Sequence, residues 1–504
     1  MTLNDPASLA PTPHRMTSPA GHHPTCSDGG CSTVPGAAEI DASFRFPALL
    51  VAFKSAAWLV LGALLLLVAS VKLHGPGMLS GKPWLTYGRL LPAGWDVLVY
   101  GFAGQAAAIT GLWVLARAVS QRLQAPILVL AGLALWNVGV LAGLVGILCG
   151  ESTGREWLEM PPGAMSFLVF GAALMGVSGW MTYSARTNDD AYPSAWFSLL
   201  ALLSFVWFGT VALSMLGGEG ARGVVQVLVQ RWFATGISKL WLGGFAIAII
   251  FHFLPTLVGR PLASRQLALI AFWSLAFFTP WSVTHHGDPF PRWLVSVGLA
   301  GRFLASIGWI ALGMNWCKTT EKVKGTVPST LAGRMIGAAA IALLTAWALD
   351  LLTSFLGMAS VVRLTWTQAG IDWLLVGAVI LAVQGALPEL LSRSLGRPLS
   401  ASLLTAHSWL TLVGIGLASL PLVLAGLVQG RSLSNGTTGF VEALGSSMHL
   451  VRLNSLGLTL FFIGQLAFVG AVLGLARHLV LGCVTTVARW AASVPGGKTA
   501  GVRS

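Results

Sequence analysis

Charge is scarce in this chain: only 9% of its 504 residues are Asp, Glu, Lys or Arg, against 55% hydrophobic. A soluble protein of that length carries about a quarter of its residues charged, so a soluble globular class is excluded. Acids are scarcest, 17 against 30 Lys and Arg, which leaves a net charge of +13. In a soluble protein that excess would suggest nucleic acid as a partner. Here the cations sit in joints between apolar runs and read as topology signals for a lipid bilayer, so no nucleic-acid partner is expected. Cysteine is sparse and scattered: Cys149, Cys317 and Cys483 lie in or beside apolar stretches and Cys26 and Cys31 near the start, so neither a disulfide framework nor a paired CxxC zinc site is visible. The absence of a Gly-rich phosphate loop, an HExxH or a nucleophile-base pair leaves soluble-type catalysis without support. Tyrosine occurs only 4 times, against 21 Trp, and not at all after Tyr192.

What is abundant is apolar sequence. From Pro47 onward twelve apolar runs are centred near residues 60, 104, 137, 172, 205, 243, 274, 305, 343, 379, 415 and 466. A span needs about 20 apolar residues to cross a hydrocarbon core, so the expectation is an all-α integral membrane protein, a twelve-helix bundle over residues 44–484. Joints after even-numbered helices carry Arg117, Arg122, Arg186, Arg260, Arg265, Lys318, Lys322, Lys324, Arg393 and Arg397. The positive-inside rule then makes both termini cytoplasmic, with 485–504 a basic tail. Residues 1–43 are polar, lack the basic start and apolar core of a secretory signal, and read as a disordered tail. Within it His22, His23, Cys26 and Cys31 could bind a soft metal, or be incidental to an unfolded segment. Small residues four apart, Gly139 and Gly143, suit close helix packing, and Pro280 and Pro421 are expected to kink their helices.

Chemistry can sit on few residues. The one adjacent histidine pair of the apolar region is His285-His286, at the end of the seventh run in Trp281-Ser-Val-Thr-His-His-Gly-Asp288. It reads either as an interfacial, solvated pair or as two imidazole ligands for copper, with water or Asp288 as a third, a weak and unselective site.

The stretch Phe251-His252-Phe253-Leu254-Pro255, Gly259-Arg260-Pro261, Phe272-Trp273-Ser274-Leu275, Trp281 and His285-His286 resembles the catalytic subunit I of cbb3-type cytochrome c oxidases, in the haem-copper oxidase superfamily. Tyr87-Gly88-Arg89-Leu90 with Pro92, Ala369-Gly370, Leu387-Pro388 and Thr405-Ala406-His407-Ser408-Trp409 extend the resemblance over most of the membrane region. It implies a subunit I-like bundle of twelve transmembrane helices in a bacterial-type inner membrane, with other respiratory-complex subunits as partners.

The resembled subunits hold a low-spin haem between histidines of helices two and ten, a high-spin haem on a second helix-ten histidine, and copper on three histidines. This sequence departs from that pattern almost everywhere. The helix-two histidine falls on Gly94, and Gly-His-x-His-(Ala/Ser)-Gly of helix ten reads Thr365-Trp366-Thr367-Gln368-Ala369-Gly370. The first copper ligand falls on Thr235 and the active-site tyrosine on Thr279. After residue 74 the histidines are His252, His285, His286, His407, His449 and His478, none in helices two or ten. His252 lies 17 residues beyond Thr235, about 25 Å along a helix, too far to substitute at copper. No haem is therefore expected, haem b returning only if this mapping fails, and copper at most weakly at His285 and His286.

Lys239 follows Thr235 by four residues and Asp372 follows Gln368 by four, each one helical turn from a lost ligand position. A charge in hydrocarbon costs about 2.5–3.5 kcal/mol and usually has a partner, so a Lys239–Asp372 bridge, with Trp366 as bulk, is one expectation for the emptied space. A snorkelling Lys239 and an Asp372 facing a water-filled joint are the alternatives. Three functions stay open: a non-catalytic relative serving as scaffold or assembly subunit of a respiratory complex, an active terminal oxidase or nitric-oxide reductase with ligands relocated to groups such as Gln368 or His407, and an ion or proton path through Lys239, Asp372, Asp96 and Asp350.

Overall fold

The computed structural model describes residues 34–187, 190–218, 220–286, 288, 290–321, 330–355, 361 and 365–493, and every regular element among them is helical. Eleven helices there are long and apolar enough to cross a membrane. The first six spans are Arg45–His74, Tyr87–Ala118, Pro126–Cys149, Pro162–Ser184, Pro193–Leu216 and Val224–Val258. The seventh expected run forms only Arg265–Phe278, about 21 Å of helix, before a 3-10 turn at Thr279–Trp281. Spans eight to twelve are Arg292–Thr320, Leu331–Ser354, Trp366–Leu395, Ala401–Ser434 and Phe440–Leu475. All twelve expected centres therefore fall on helices, the seventh a short one.

Proline and glycine set the ends. Spans three, four and five each begin with Pro near the first helical position, where the missing N–H is unneeded, and Gly150, Gly259 and Gly396 close spans three, six and ten in the left-handed region. Pro421 lies inside span eleven as expected, whereas Pro280 sits in the 3-10 turn and ends its helix instead of kinking it. Within the segment expected to be a disordered tail, Ala37–Ser43 is helical, and the buried carboxylate of Asp41 accepts from Trp113 Nε1 at 2.8 Å and meets Arg117 at 3.5 Å. His22, His23, Cys26 and Cys31 lie outside the described residues. At the other end the last helix runs unbroken to Ser493, so the boundary expected at 485 is not a structural one.

Burial sorts the spans into two groups. The most apolar window of span two is 100% enclosed, that of span ten 94% and that of span six 78%, while the remaining spans bury roughly half or less of theirs. Spans two, six and ten are thus the inner helices. Two of them are wound unusually: Val97–Gly104 of span two and Gly236–Leu242 of span six take the wider π-helical turn, a feature that concentrates at functional sites.

Close approach between outer spans rests on glycine where the spacing placed it. A Cβ at Gly139 would stand 2.8 Å from the Ala164 carbonyl oxygen of span four, too near for any side chain without backbone movement. Gly139→Leu should therefore lower the unfolding temperature of the detergent-purified protein by an amount equivalent to about 1–3 kcal/mol, while Val138→Leu, on a lipid-facing position, leaves it unchanged. Equal melting temperatures for the two variants would refute this packing.

Candidate functional site

Spans six, eight, nine and ten and the joints after spans three and seven enclose a cavity of about 260 Å³. Span six contributes Thr235, Ser238 and Lys239 to its wall, span ten Gln368, Ile371, Asp372 and Leu375, and the joints bring Trp157, His285 and His286. The centre of the charged side is the carboxylate of Asp350, near the end of span nine. Its Oδ2 accepts from Lys239 Nζ at 2.9 Å and from Arg302 Nη1 at 3.0 Å. Arg302, 3% exposed although it lies mid-span, also donates to Ser354 Oγ at 2.6 Å, to the Ser282 carbonyl at 2.9 Å and to His285 Nε2. A guanidinium only donates, so Nε2 accepts and the ring proton resides on Nδ1, which faces Asp288 Oδ2 at 3.7 Å. Asp288 in turn accepts from the His285 backbone N–H at 2.7 Å and meets Arg231 at 2.5 Å. Burial alone would raise its carboxyl, but the hydrogen bonds from His285 and Arg231 outweigh burial and hold it well below the usual carboxylate range.

Among the described residues no Lys239–Asp372 ion pair is found where helical spacing placed one; both residues line the cavity, but Lys239 meets Asp350, and Asp372 Oδ1 accepts from Gln368 Nε2 at 2.9 Å. Thr235 and Lys239 do share the cavity wall, as spacing by four implies; the partner is set by span nine, which brings the Asp350 carboxylate within 2.9 Å of Lys239 Nζ, while Gln368 occupies Asp372.

The haem positions fare no better as donors. At Gly94 a Cβ would stand 2.9 Å from the backbone nitrogen of Leu66, so the position faces span one at contact distance and has no space for an imidazole. Spans two and ten touch directly through Trp95 and Trp373, whose ring centroids are 5.2 Å apart in an edge-to-face arrangement, and Trp373 packs on against Phe461. Trp366, expected as the bulk there, is half-buried at the start of span ten and does not make this contact. At copper, His285 has its acceptor nitrogen on Arg302 and His286 is exposed, and among the described residues no group of three or more His, Cys, Asp or Glu could hold a metal ion. The residues present fit neither a haem pair nor a three-histidine copper site. Thr279 is buried at the 3-10 turn, outside the cavity wall. His407 is buried near the start of span eleven, toward the opposite end of the bundle, where its Nδ1 pairs with the Gly464 carbonyl at 3.0 Å.

Structure thus brings Thr235, Lys239, His285, His286, Gln368 and Asp372 to one cavity, and leaves Gly94, Thr279 and Trp366 apart from it. Sequence reasoning missed Arg302, Arg231 and the role of Asp350. Arg302 carried a readable signal, a lone cation inside Leu299-Ala-Gly-Arg-Phe-Leu304, which marks an intramembrane charge with a partner.

Residues 47–460 match the family described as Cytochrome C and Quinol oxidase polypeptide I. Among similar proteins, the Cbb3-type cytochrome c oxidase subunit CcoN1 of Stutzerimonas stutzeri is 23% identical over 443 residues, 82% of this chain and 91% of that protein. The cytochrome c oxidase subunit 1 homolog, bacteroid, of Bradyrhizobium diazoefficiens is 24% identical over 266 residues, 49% of this chain and 47% of its own. Cytochrome c oxidase subunit 1 of Rhodobacter capsulatus is 25% identical over 263 residues, 48% of each chain.

The shared carboxylate yields a test. Asp350→Asn removes the counter-charge of two inward cations and should cost about 3–5 kcal/mol of stability in detergent, and adding Lys239→Met to it should recover part of the loss. If Asp350→Asn melts like the native protein, the carboxylate does not hold these spans together.

Proposed function

This chain belongs to the Cytochrome C and Quinol oxidase polypeptide I family, and from that premise we propose that it is a haem-less, non-catalytic member serving as a structural or assembly subunit of a respiratory membrane complex. Its relatives carry the names of cytochrome c oxidase subunits, which supports partner subunits as the setting. The observation that carries the reading is the Trp95–Trp373 contact, which spends the space between the inner spans on an aromatic pair. A fold hosts an activity only through its site residues, and here imidazoles have been exchanged for Gly94, Thr235, Trp366 and Gln368, none of them a good haem ligand. Relocated ligation has little to draw on, because Gln368 is bonded to Asp372 and His407 stands near the other end of the bundle.

The test is a pyridine-haemochrome spectrum with metal analysis on the same detergent-purified sample. Less than stoichiometric haem is expected, together with copper content that is the same in the native protein and in a His285→Ala/His286→Ala variant. One or two haems per chain would overturn the reading in favour of an active oxidase.

A second reading, ion or proton translocation, draws on the charged cavity itself, since ionisable groups inside a membrane bundle commonly line pathways. Under it, Lys239→Met and Asp372→Asn in proteoliposomes each abolish ion flux while the variants remain folded. Flux that persists through both changes removes this alternative.

A further inference from the structure

Outside the charged cluster, two more acids are buried together. Asp96, in the first turns of span two, is 1% exposed, and its carboxyl lies against that of Glu159, from the joint between spans three and four. Both oxygens of Asp96 and Oε2 of Glu159 are buried and accept no hydrogen bond from any other described group. Two carboxylates in contact, out of water, cannot both be ionised, since each charge raises the cost of the other. Among the described residues, the titratable groups acting on the pair are Tyr100 from span two and Glu156 from the joint, neither a cation. Arg89 of span two is turned away, donating to the Leu148 carbonyl at 2.9 Å.

The joint that brings Glu159 is built under tension. Trp157, two residues earlier, has φ +65°, a left-handed conformation rare for a bulky side chain, and it is 3% exposed. Its carbonyl is held by Tyr100 Oη at 2.5 Å, its ring meets Trp95 edge to face with centroids 5.9 Å apart, and its side forms part of the cavity wall with Glu156. The joint folds back on itself, Thr153 N–H donating to the Glu159 carbonyl at 3.0 Å, so residues 153–159 form a loop tied at its two ends.

We propose that Asp96 and Glu159 form a proton-binding site, holding one proton between them, and that this shared proton latches the 153–159 segment with Trp157 against the cavity. The reaction is a simple equilibrium: the proton bridges one carboxyl oxygen to the other, and its loss to solvent leaves two repelling anions. Glu159 lies outside the spans, and burial, opposed by hydrogen bonds that include one to Asp96, pushes its carboxyl up to about 7. A carboxyl raised above its unfolded value of 4.5 stabilises the fold fully below that value and loses the contribution as pH rises through about 7. The latch therefore closes at acidic and opens at alkaline pH. Strain at Trp157 favours the opening once the proton is gone. This inference is independent of whether the chain binds haem.

Infrared spectra and amide hydrogen exchange of the full-length protein in lipid nanodiscs test it. The native protein near pH 6 is expected to show a protonated carboxylic acid band that shifts in heavy water and is missing from Asp96→Asn, whose amide hydrogen-bonds an ionised Glu159 in place of the shared proton. Exchange of the 153–159 amides, taken as the ratio of native to Asp96→Asn so that intrinsic pH dependence cancels, should be near one at about pH 6 and rise roughly ten-fold by about pH 9. Glu159→Gln serves as the second variant if Asp96→Asn does not fold. Identical acid bands in native and variant proteins, or an exchange ratio that stays near one across the range, would overturn the proposal.

Discussion

Three spans converge on a single carboxylate. Asp350 of span nine receives Lys239 of span six and Arg302 of span eight, and through Arg302 it reaches His285 and, beyond it, Asp288 and Arg231. In hydrocarbon an unpaired ionic group costs several kcal/mol, so each of these side chains restricts where its helix can stand. Metal ligation imposes the same kind of restriction in the resembled subunits: several helices must present groups to one point. Here the point is an anion and the groups gathered on it are cations, which fixes spans six, eight and nine against one another.

The second constraint is volume. Spans two and ten are in direct contact at Trp95 and Trp373, whose indoles pack edge to face. At Gly94 the chain closes on Leu66 of span one, so the small residue there serves helix packing, and an imidazole at this position would drive a ring into the backbone of a neighbouring span.

Much of this could be read before the coordinates. Twelve apolar runs located twelve helices because hydrocarbon thickness and backbone satisfaction leave few alternatives, and the seventh was short because Pro280 stops its helix where the apolar run continues. Eight residues singled out by family spacing or by charge, among them Thr235, Asp350 and Asp372, do meet in one cavity. Their pairing was not legible, because spacing along one helix fixes which side chains share a face and not which group a neighbouring helix presents to them. Nor were Arg302, Trp95 and Trp373, since comparison with ligand motifs points to what has been lost and not to what has been gained elsewhere. Asp96 was visible as an intramembrane acid, yet its partner Glu159 lies 63 residues away in a joint and shares no sequence pattern with it.

A remaining void of about 260 Å³ follows from the same physics. An apolar cavity of that size would cost roughly 6 kcal/mol at about 24 cal/mol per Å³, comparable with the whole stability of many folded proteins. A cavity walled by Lys239, Asp350, Arg302, Asp372 and Gln368 escapes that cost, since polar groups with room between them take up water and hydrogen-bond it. Inner spans can meet through aromatic side chains or around charge, and this chain uses both: aromatic rings at Trp95 and Trp373 between spans two and ten, and charge around Asp350, where the loop residues His285 and Asp288 extend the hydrogen bonding. The charged cluster and Trp157 thus line one and the same space, which ties the joint between spans three and four to the polar side of the bundle.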